Sequence, residues 1–183
     1  MSASNTAVQN VSGESGGQAP RQVLVFTLDG ENYAIDILHI REIIEYGVMT
    51  EVPMMPDTVR GVINLRGAVV PVIDLSARFG GKRTQTGRRT CIIIVEVEYQ
   101  NRLQILGVMV DAVNEVMDID EADIEPAPSF GAQIRTDFIQ GMGKVKDAFV
   151  IILDVAKVFS FNELAQISRL TAGANEALAH DAS

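Results

Sequence analysis

The sequence predicts a mainly β protein, built as two similar small barrels that face each other across a groove. Three observations predict it. The second half repeats the first: Gly61-Val62-Ile63-Asn64-Leu65-Arg66-Gly67-Ala68-Val69-Val70-Pro71-Val72-Ile73-Asp74-Leu75, running on to Phe79, returns as Gly141-Met142-Gly143-Lys144-Val145-Lys146-Asp147-Ala148-Phe149-Val150-Ile151-Ile152-Leu153-Asp154-Val155, running on to Phe159. The offset is 80 residues for Gly61 and Gly141, for Asp74 and Asp154, and for Phe79 and Phe159. Hydrophobic residues make up 47% of the 183 but aromatics only 5%, with no Trp, so the core is built from Val, Ile, Leu and Met. The apolar runs are strand-length and separated by turn chemistry. A groove between two such units is where a binding site tends to form.

Residues 1–21 are Ser, Gly, Asn, Gln and Ala with little apolar content, and are expected to be a disordered tail. Val23 to Leu28 reads as the first strand, Asp29-Gly30-Glu31-Asn32 as a turn, and Tyr33 to Ile44 as the second strand of a hairpin. Ile40-Arg41-Glu42-Ile43 and Val113-Asn114-Glu115-Val116 are matching strand segments ahead of each repeat. Val52-Pro53-Met54-Met55-Pro56 and Ile124-Glu125-Pro126-Ala127-Pro128 read as paired irregular loops, because proline removes a donor and fixes φ. Val69 to Ile73 is a strand with Pro71 inside, which predicts an edge position or a bulge. Ser76 to Phe79 and Ala156 to Phe159 have room for one helical turn each, and Gly80 to Arg89 is a polar linker between the halves.

The second half opens as the first does. Cys91 to Tyr99 ends in the alternation Val95-Glu96-Val97-Glu98-Tyr99, which places Glu96 and Glu98 on the wet face. Gln100-Asn101-Arg102 turns the chain and Leu103 to Asp111 returns. The stretch 160–183 reads as a helix and a frayed tail: Ser160-Phe161-Asn162-Glu163 has capping-box spacing, and Phe161, Leu164, Ile167 and Leu170 form an apolar stripe.

A net charge of −9 argues against nucleic-acid binding, which needs a basic footprint. Cys91 has no second cysteine to pair with, and its apolar run predicts a buried thiol in a reducing cytoplasm. No run approaches the roughly 18 apolar residues of a membrane span, and residues 1–20 lack the pattern of a signal peptide.

Catalytic and metal motifs fail on inspection. His39, in the predicted strand, and His180, in the tail, have no Ser or Cys placed for activation. A thiolate at Cys91 would be destabilised by its apolar neighbours. Gly80-Gly81-Lys82 lacks the hydroxyl residue and the upstream glycine of a phosphate loop. Asp118-Ile119-Asp120-Glu121-Ala122-Asp123 lacks the glycine at position six and the glutamate at position twelve of a calcium loop, where Asp123 and Ser129 stand. No His/Cys cluster has zinc spacing. Two charged residues stand out instead: Glu42 among isoleucines, and Arg66 in a turn between apolar strands. They form either a structural ion pair or a docking anchor, since Arg within an apolar patch is a frequent hot spot. Met54 and Met55, between prolines in an exposed loop, have the character of an adaptable contact surface.

The hairpin Val25 to Ile37, the segment Ile40-Arg41-Glu42-Ile43-Ile44, and above all Gly61-Val62-Ile63-Asn64-Leu65-Arg66-Gly67 followed by Val70-Pro71-Val72-Ile73-Asp74-Leu75 resemble the CheW chemotaxis coupling-protein family. The resemblance covers about Gln22 to Phe159, which makes 22–159 one CheW-like domain. It implies two SH3-like five-stranded barrels with a shared core and an intertwined topology, in which strands cross between the sequence halves. It implies an adaptor with no enzymatic activity and no cofactor, coupling transmembrane chemoreceptors to the histidine kinase CheA in cytoplasmic arrays at the membrane. Carried over, the positions facing the receptor's helical tip are Ile37, Ile40, Glu42, Asn64, Arg66, Gly107 and Val113. The ends of the barrels would meet the kinase's regulatory domain through Met54 and Met55 at one contact, and through Phe130 with neighbouring Glu125 at the other. A related scaffold for surface motility or second-messenger control fits the same residues, and a small-ligand module in the groove finds no convergent chemistry.

Overall fold

Runs such as Val23-Leu24-Val25-Phe26 and Ile92-Ile93-Ile94-Val95 are apolar at every position, so both faces of the strand must be buried. The computed structural model, which describes residues 19–127, 136–159 and 163–169, shows how. The strands are β1 (Arg21–Leu28), β2 (Glu31–Asp36), β3 (Ile40–Glu45), β4 (Val59–Leu65), β5 (Ala68–Asp74), β6 (Cys91–Tyr99), β7 (Arg102–Val110), β8 (Ala112–Ile119), β9 (Ile124–Glu125), β10 (Ile139–Val145) and β11 (Ala148–Leu153). Single helical turns α1 (Leu75–Arg78) and α2 (Val155–Val158) follow β5 and β11, and residues 163–169 are helical.

The strands form two curled sheets, ordered β8-β1-β2-β11-β10-β9 and β3-β6-β7-β5-β4. Each sheet is therefore a composite. The hairpin β1–β2 of the first half lies between β8 and β11 of the second, and the hairpin β6–β7 of the second lies between β3 and β5 of the first. The exchange is reciprocal, and both junctions at β5 and β11 are parallel (β5 with β7, β11 with β2).

Three apolar clusters follow from this layout. Leu24, Phe26 and Leu28 of β1 join Ile93, Val95 and Val97 of β6 in a central core shared by the two sheets. Val23 and Val25 face a second cluster inside the first sheet, and Ile92 and Ile94 a third inside the other. Alternate residues of one strand thus serve different cores.

The 80-residue repeat survives as matching strand register. Val59 pairs Ile73 and Gly61 pairs Val72, with a bulge between them; Ile139 pairs Leu153 and Gly141 pairs Ile152, with the same bulge. The Asp74 N–H donates to the Thr58 carbonyl at 2.7 Å and the Asp154 N–H to the Phe138 carbonyl at 2.8 Å. Arg66 and Lys146 both turn with positive φ, 52° and 54°. Gly61 holds φ +154° where an added Cβ would lie 2.4 Å from the Thr50 carbonyl, so only glycine fits.

Several local expectations change. Tyr33 to Ile44 is not one strand: it breaks at a 3-10 turn, Ile37–His39, whose first turn is closed by the Asp36 carboxylate accepting from the Leu38 N–H at 3.0 Å. His39 therefore sits in a turn, where the chain crosses from one sheet to the other. Ile124 and Glu125, expected in an irregular loop, form the short β9 and give the first sheet its sixth strand. Pro71 is on neither an edge strand nor a bulged residue, because β5 lies between β7 and β4. Its partner Val62 directs both its N–H and its C=O to Thr50, and the ladder to β7 begins only at Val72. The missing proline donor is thus not required by either neighbour. Cys91 is partly exposed at the start of β6 rather than buried.

The linker is polar as expected, yet it is pinned. Thr84 is buried and donates to Asp74 from its N–H at 2.8 Å and from its hydroxyl at 2.9 Å. Asp74, itself buried, also accepts from the Ala77 N–H at 3.3 Å and from Arg60 Nη1 at 3.4 Å. At the other end of the chain, Leu164 and Ile167 are buried in the central core, while Arg78 Nε meets Glu163 Oε2 at 3.1 Å. Ser160, Phe161 and Asn162 of the expected capping box and Leu170 of the stripe lie outside the described residues, as does the tail 1–18.

The central core carries a ladder of rings, Phe26–Tyr33–Phe79–Phe138, with centroids 6.0, 5.8 and 5.9 Å apart. Burial pushes the Tyr33 phenol from 10.0 up to about 12, helped by the charges of Glu31 and Asp29 and by a hydrogen bond to Glu31. The folded form holds this proton more tightly than the unfolded chain. Its contribution to stability is complete below pH 10 and is lost as the pH rises from 10 to 12. Urea midpoints of the parent protein should fall across that window, and Tyr33→Phe should flatten the fall.

Candidate functional site

Strand β3 opens the site because a bulge changes the face it presents. Ile40 pairs Val95 but Glu42 pairs Ile94, leaving Arg41 as the extra residue. Ile40 packs against the central core, whereas Ile44 packs against the cluster inside the second sheet. Glu42 lies two residues from Ile44 and shares its face. The same device recurs in β8, where Val25 pairs Glu115 and Phe26 pairs Val113, so Asn114 is extra. There Val113 packs against the central core and Met117 against the cluster inside the first sheet.

The β4–β5 turn carries Arg66 to Glu42. Arg66 at φ 52° and Gly67 at φ 85° make a tight two-residue turn, and the Asn64 carboxamide oxygen accepts from the Gly67 N–H at 2.8 Å. The guanidinium then grips the carboxylate with two bonds, Nη1 to Oε1 at 3.0 Å and Nη2 to Oε2 at 2.7 Å. The Arg66 side chain is 76% exposed and that of Glu42 25%. The hydrogen bond to Glu42, followed by the attraction of its charge, raises the Arg66 pKa further. Beside the pair, Arg41 Nε meets Glu96 Oε1 at 3.1 Å. These charges rim a groove of about 360 Å³ lined also by Leu65, Ala68, Val70 and Ile105. It has an apolar floor, a charged lip and a fixed, outward-facing cation.

Of the positions assigned to the receptor face, Glu42 and Arg66 line this groove, and Asn64 shapes the turn that delivers Arg66. Ile37, Ile40 and Val113 are half-buried, the last two at the margin of the central core. Gly107 is buried in β7: an added Cβ would lie 2.8 Å from Ile92 Cγ2 and 3.1 Å from Val72 Cγ2. Its place in the chain is one of close packing between β5, β6 and β7. Sequence reasoning missed Arg41, Leu65, Ala68, Val70 and Ile105. The alternation through β5 and β7 was the signal available, but it required knowing that these two strands are neighbours.

The described residues beside the two Pro-rich loops pair at equivalent positions. Thr50 bridges Val62 of β4, and Glu125 pairs Met142 of β10, the residue 80 positions on from Val62. Met54 is fully exposed with φ 63°, and Met55 is half-buried against the central core. Glu125 is exposed, and Phe130 lies outside the described residues.

Known proteins resemble this chain in sequence and fold. The family described as the CheW-like domain matches residues 22–163. The chemotaxis protein CheW of Klebsiella aerogenes is 33% identical over 163 residues, 89% of this chain and 94% of its own length. That of Helicobacter pylori is 36% identical over 137 residues, 75% of this chain and 80% of its own. The crystal structure of the scaffolding protein TtCheW from Thermoanaerobacter tengcongensis superposes with a TM-score of 0.71 at 38% identity, covering 80% of this chain and 92% of that one. With the family match spanning residues 22–163 and these relatives covering most of both chains, this chain belongs to the CheW-like domain family of chemotaxis scaffold proteins.

Proposed function

We propose that this protein is a non-enzymatic adaptor that couples transmembrane chemoreceptors to the CheA histidine kinase in arrays at the membrane. One observation carries the reading: Arg66, held by two bonds to Glu42, stands exposed at the lip of a groove floored by Leu65, Ala68, Val70 and Ile105. A receptor's helical tip would lay apolar residues on that floor, the helix-in-groove mode. Arg66 and Glu42 would fix its orientation, because a misplaced tip strands their charges. Met54 and Met55, and the loop after Glu125, would meet the kinase at the two equivalent barrel ends. Each contact would be modest, and the array would gain from engaging several at once.

Co-sedimentation tests this directly. The chain should pellet with receptor-containing membranes and carry the kinase into the pellet with it. Absence of the chain from the pellet at micromolar concentrations would rule out receptor coupling, and its presence without kinase would leave only a receptor-binding module.

A further inference from the structure

Among the described residues, Met54 is the one methionine open to solvent. Met109 is fully buried, and Met49, Met55, Met117 and Met142 are half-buried against the apolar clusters. Met54 stands 102% exposed at φ +63°, a backbone conformation that costs an L-residue free energy. Pro53 precedes it and Pro56 follows, so the loop is stiff and the side chain is held away from the core. Strain of this kind persists where the surrounding structure enforces it and often marks a functional position.

We infer that Met54 is an oxidation site through which peroxides weaken the contact made by this loop; the inference rests on the proposed kinase contact. The thioether sulfur attacks one oxygen of hydrogen peroxide. A sulfur–oxygen bond forms as the oxygen–oxygen bond breaks, sulfur loses two electrons, and the peroxide's other oxygen leaves as water with both hydrogens. The product is a sulfoxide, polar where the thioether was apolar, and reducible by methionine sulfoxide reductases. Reactivity follows exposure, so the five shielded methionines react later. Because the Met54 side chain packs against nothing, its oxidation alters the docking surface and leaves the cores intact.

The test treats the full chain with limiting hydrogen peroxide, maps the sites by peptide mass and measures binding to the CheA kinase. The expected result is sulfoxide at Met54 on the order of tenfold faster than at Met49, Met55, Met109, Met117 or Met142. The singly oxidised chain should bind kinase roughly tenfold more weakly with an unchanged melting temperature. Met54→Leu should have the same affinity before and after peroxide, whatever that affinity is, and bound kinase should slow the oxidation. Equal rates at Met55 or Met49, or full affinity after oxidation at Met54, would overturn the inference. If Met54→Ala binds the kinase as tightly as the parent, the loop is not a contact: the switch then fails through that reading, even where the mass data show selective oxidation.

Discussion

Arg66→Glu is expected to abolish co-sedimentation with receptor membranes while the far-ultraviolet spectrum and melting temperature stay those of the parent. The side chain is 76% exposed and its partner is a single carboxylate on β3, an ion pair of the kind that contributes little to stability. The turn itself is held by Asn64 and Gly67, which the substitution leaves in place. What changes is the lip of the groove. Two carboxylates would face each other where a salt bridge stood, and the cation offered to a partner would become an anion. Loss of binding should exceed about a hundredfold, the scale of a central hot spot combined with like-charge repulsion. An unfolded variant would assign the pair a structural role instead, and a folded variant with parental binding would remove Arg66 from the interface. The double exchange Glu42→Arg with Arg66→Glu then asks whether the partner reads the pair's geometry, in which case binding returns, or the sign of the exposed charge.

Asp74→Ala should produce the largest loss of stability, about 3–5 kcal/mol by urea denaturation, the range for removing one partner of a buried charged pair. Asp74 is buried and accepts from four donors, namely both donors of Thr84, the Ala77 N–H and Arg60. Its removal leaves the half-buried Arg60 without its counter-charge and the buried Thr84 N–H without its acceptor. Against a total of roughly 5–15 kcal/mol for a typical domain, that is a large fraction. Asp74→Asn, which keeps one acceptor, should lose less. A midpoint within about 1 kcal/mol of the parent would show that the linker is not held here.

Much of the fold was readable because duplication repeats physical constraints. The glycines at 61 and 141, the turns at 66 and 146 and the aspartates at 74 and 154 recur in sequence and return as equal strand register. The span of β6 matched the predicted one, because its alternation ends where Gln100 and Asn101 turn with positive φ. Other features were hidden for reasons of chemistry. The break at Ile37 to His39 lies in a stretch with no glycine or proline to mark it, and the carboxylate of Asp36 that closes it reads in sequence as an ordinary polar residue. Pro71 is tolerated in a central strand because Val62 turns its donor and acceptor toward Thr50, a pairing no local pattern encodes. The anchor of the site, Glu42 with Arg66, was legible as charge set among apolar residues. Its floor was not, because Leu65, Ala68, Val70 and Ile105 look like any strand residue until β5 and β7 are known to be neighbours.

The reciprocal exchange of hairpins has a consequence for biosynthesis. The hairpin β1–β2 leaves the ribosome first, but its neighbour β11 is the last strand made, beginning 112 residues beyond the end of β2 at Asp36. At ordinary translation rates of about 5–20 residues per second, that hairpin waits roughly 6–22 seconds with an apolar edge uncovered. The second sheet has all five of its strands once Val110 is made, whereas the first still waits for β10 and β11. The two sheets are therefore completed in sequence, the one holding β3 to β7 before the one that needs β11.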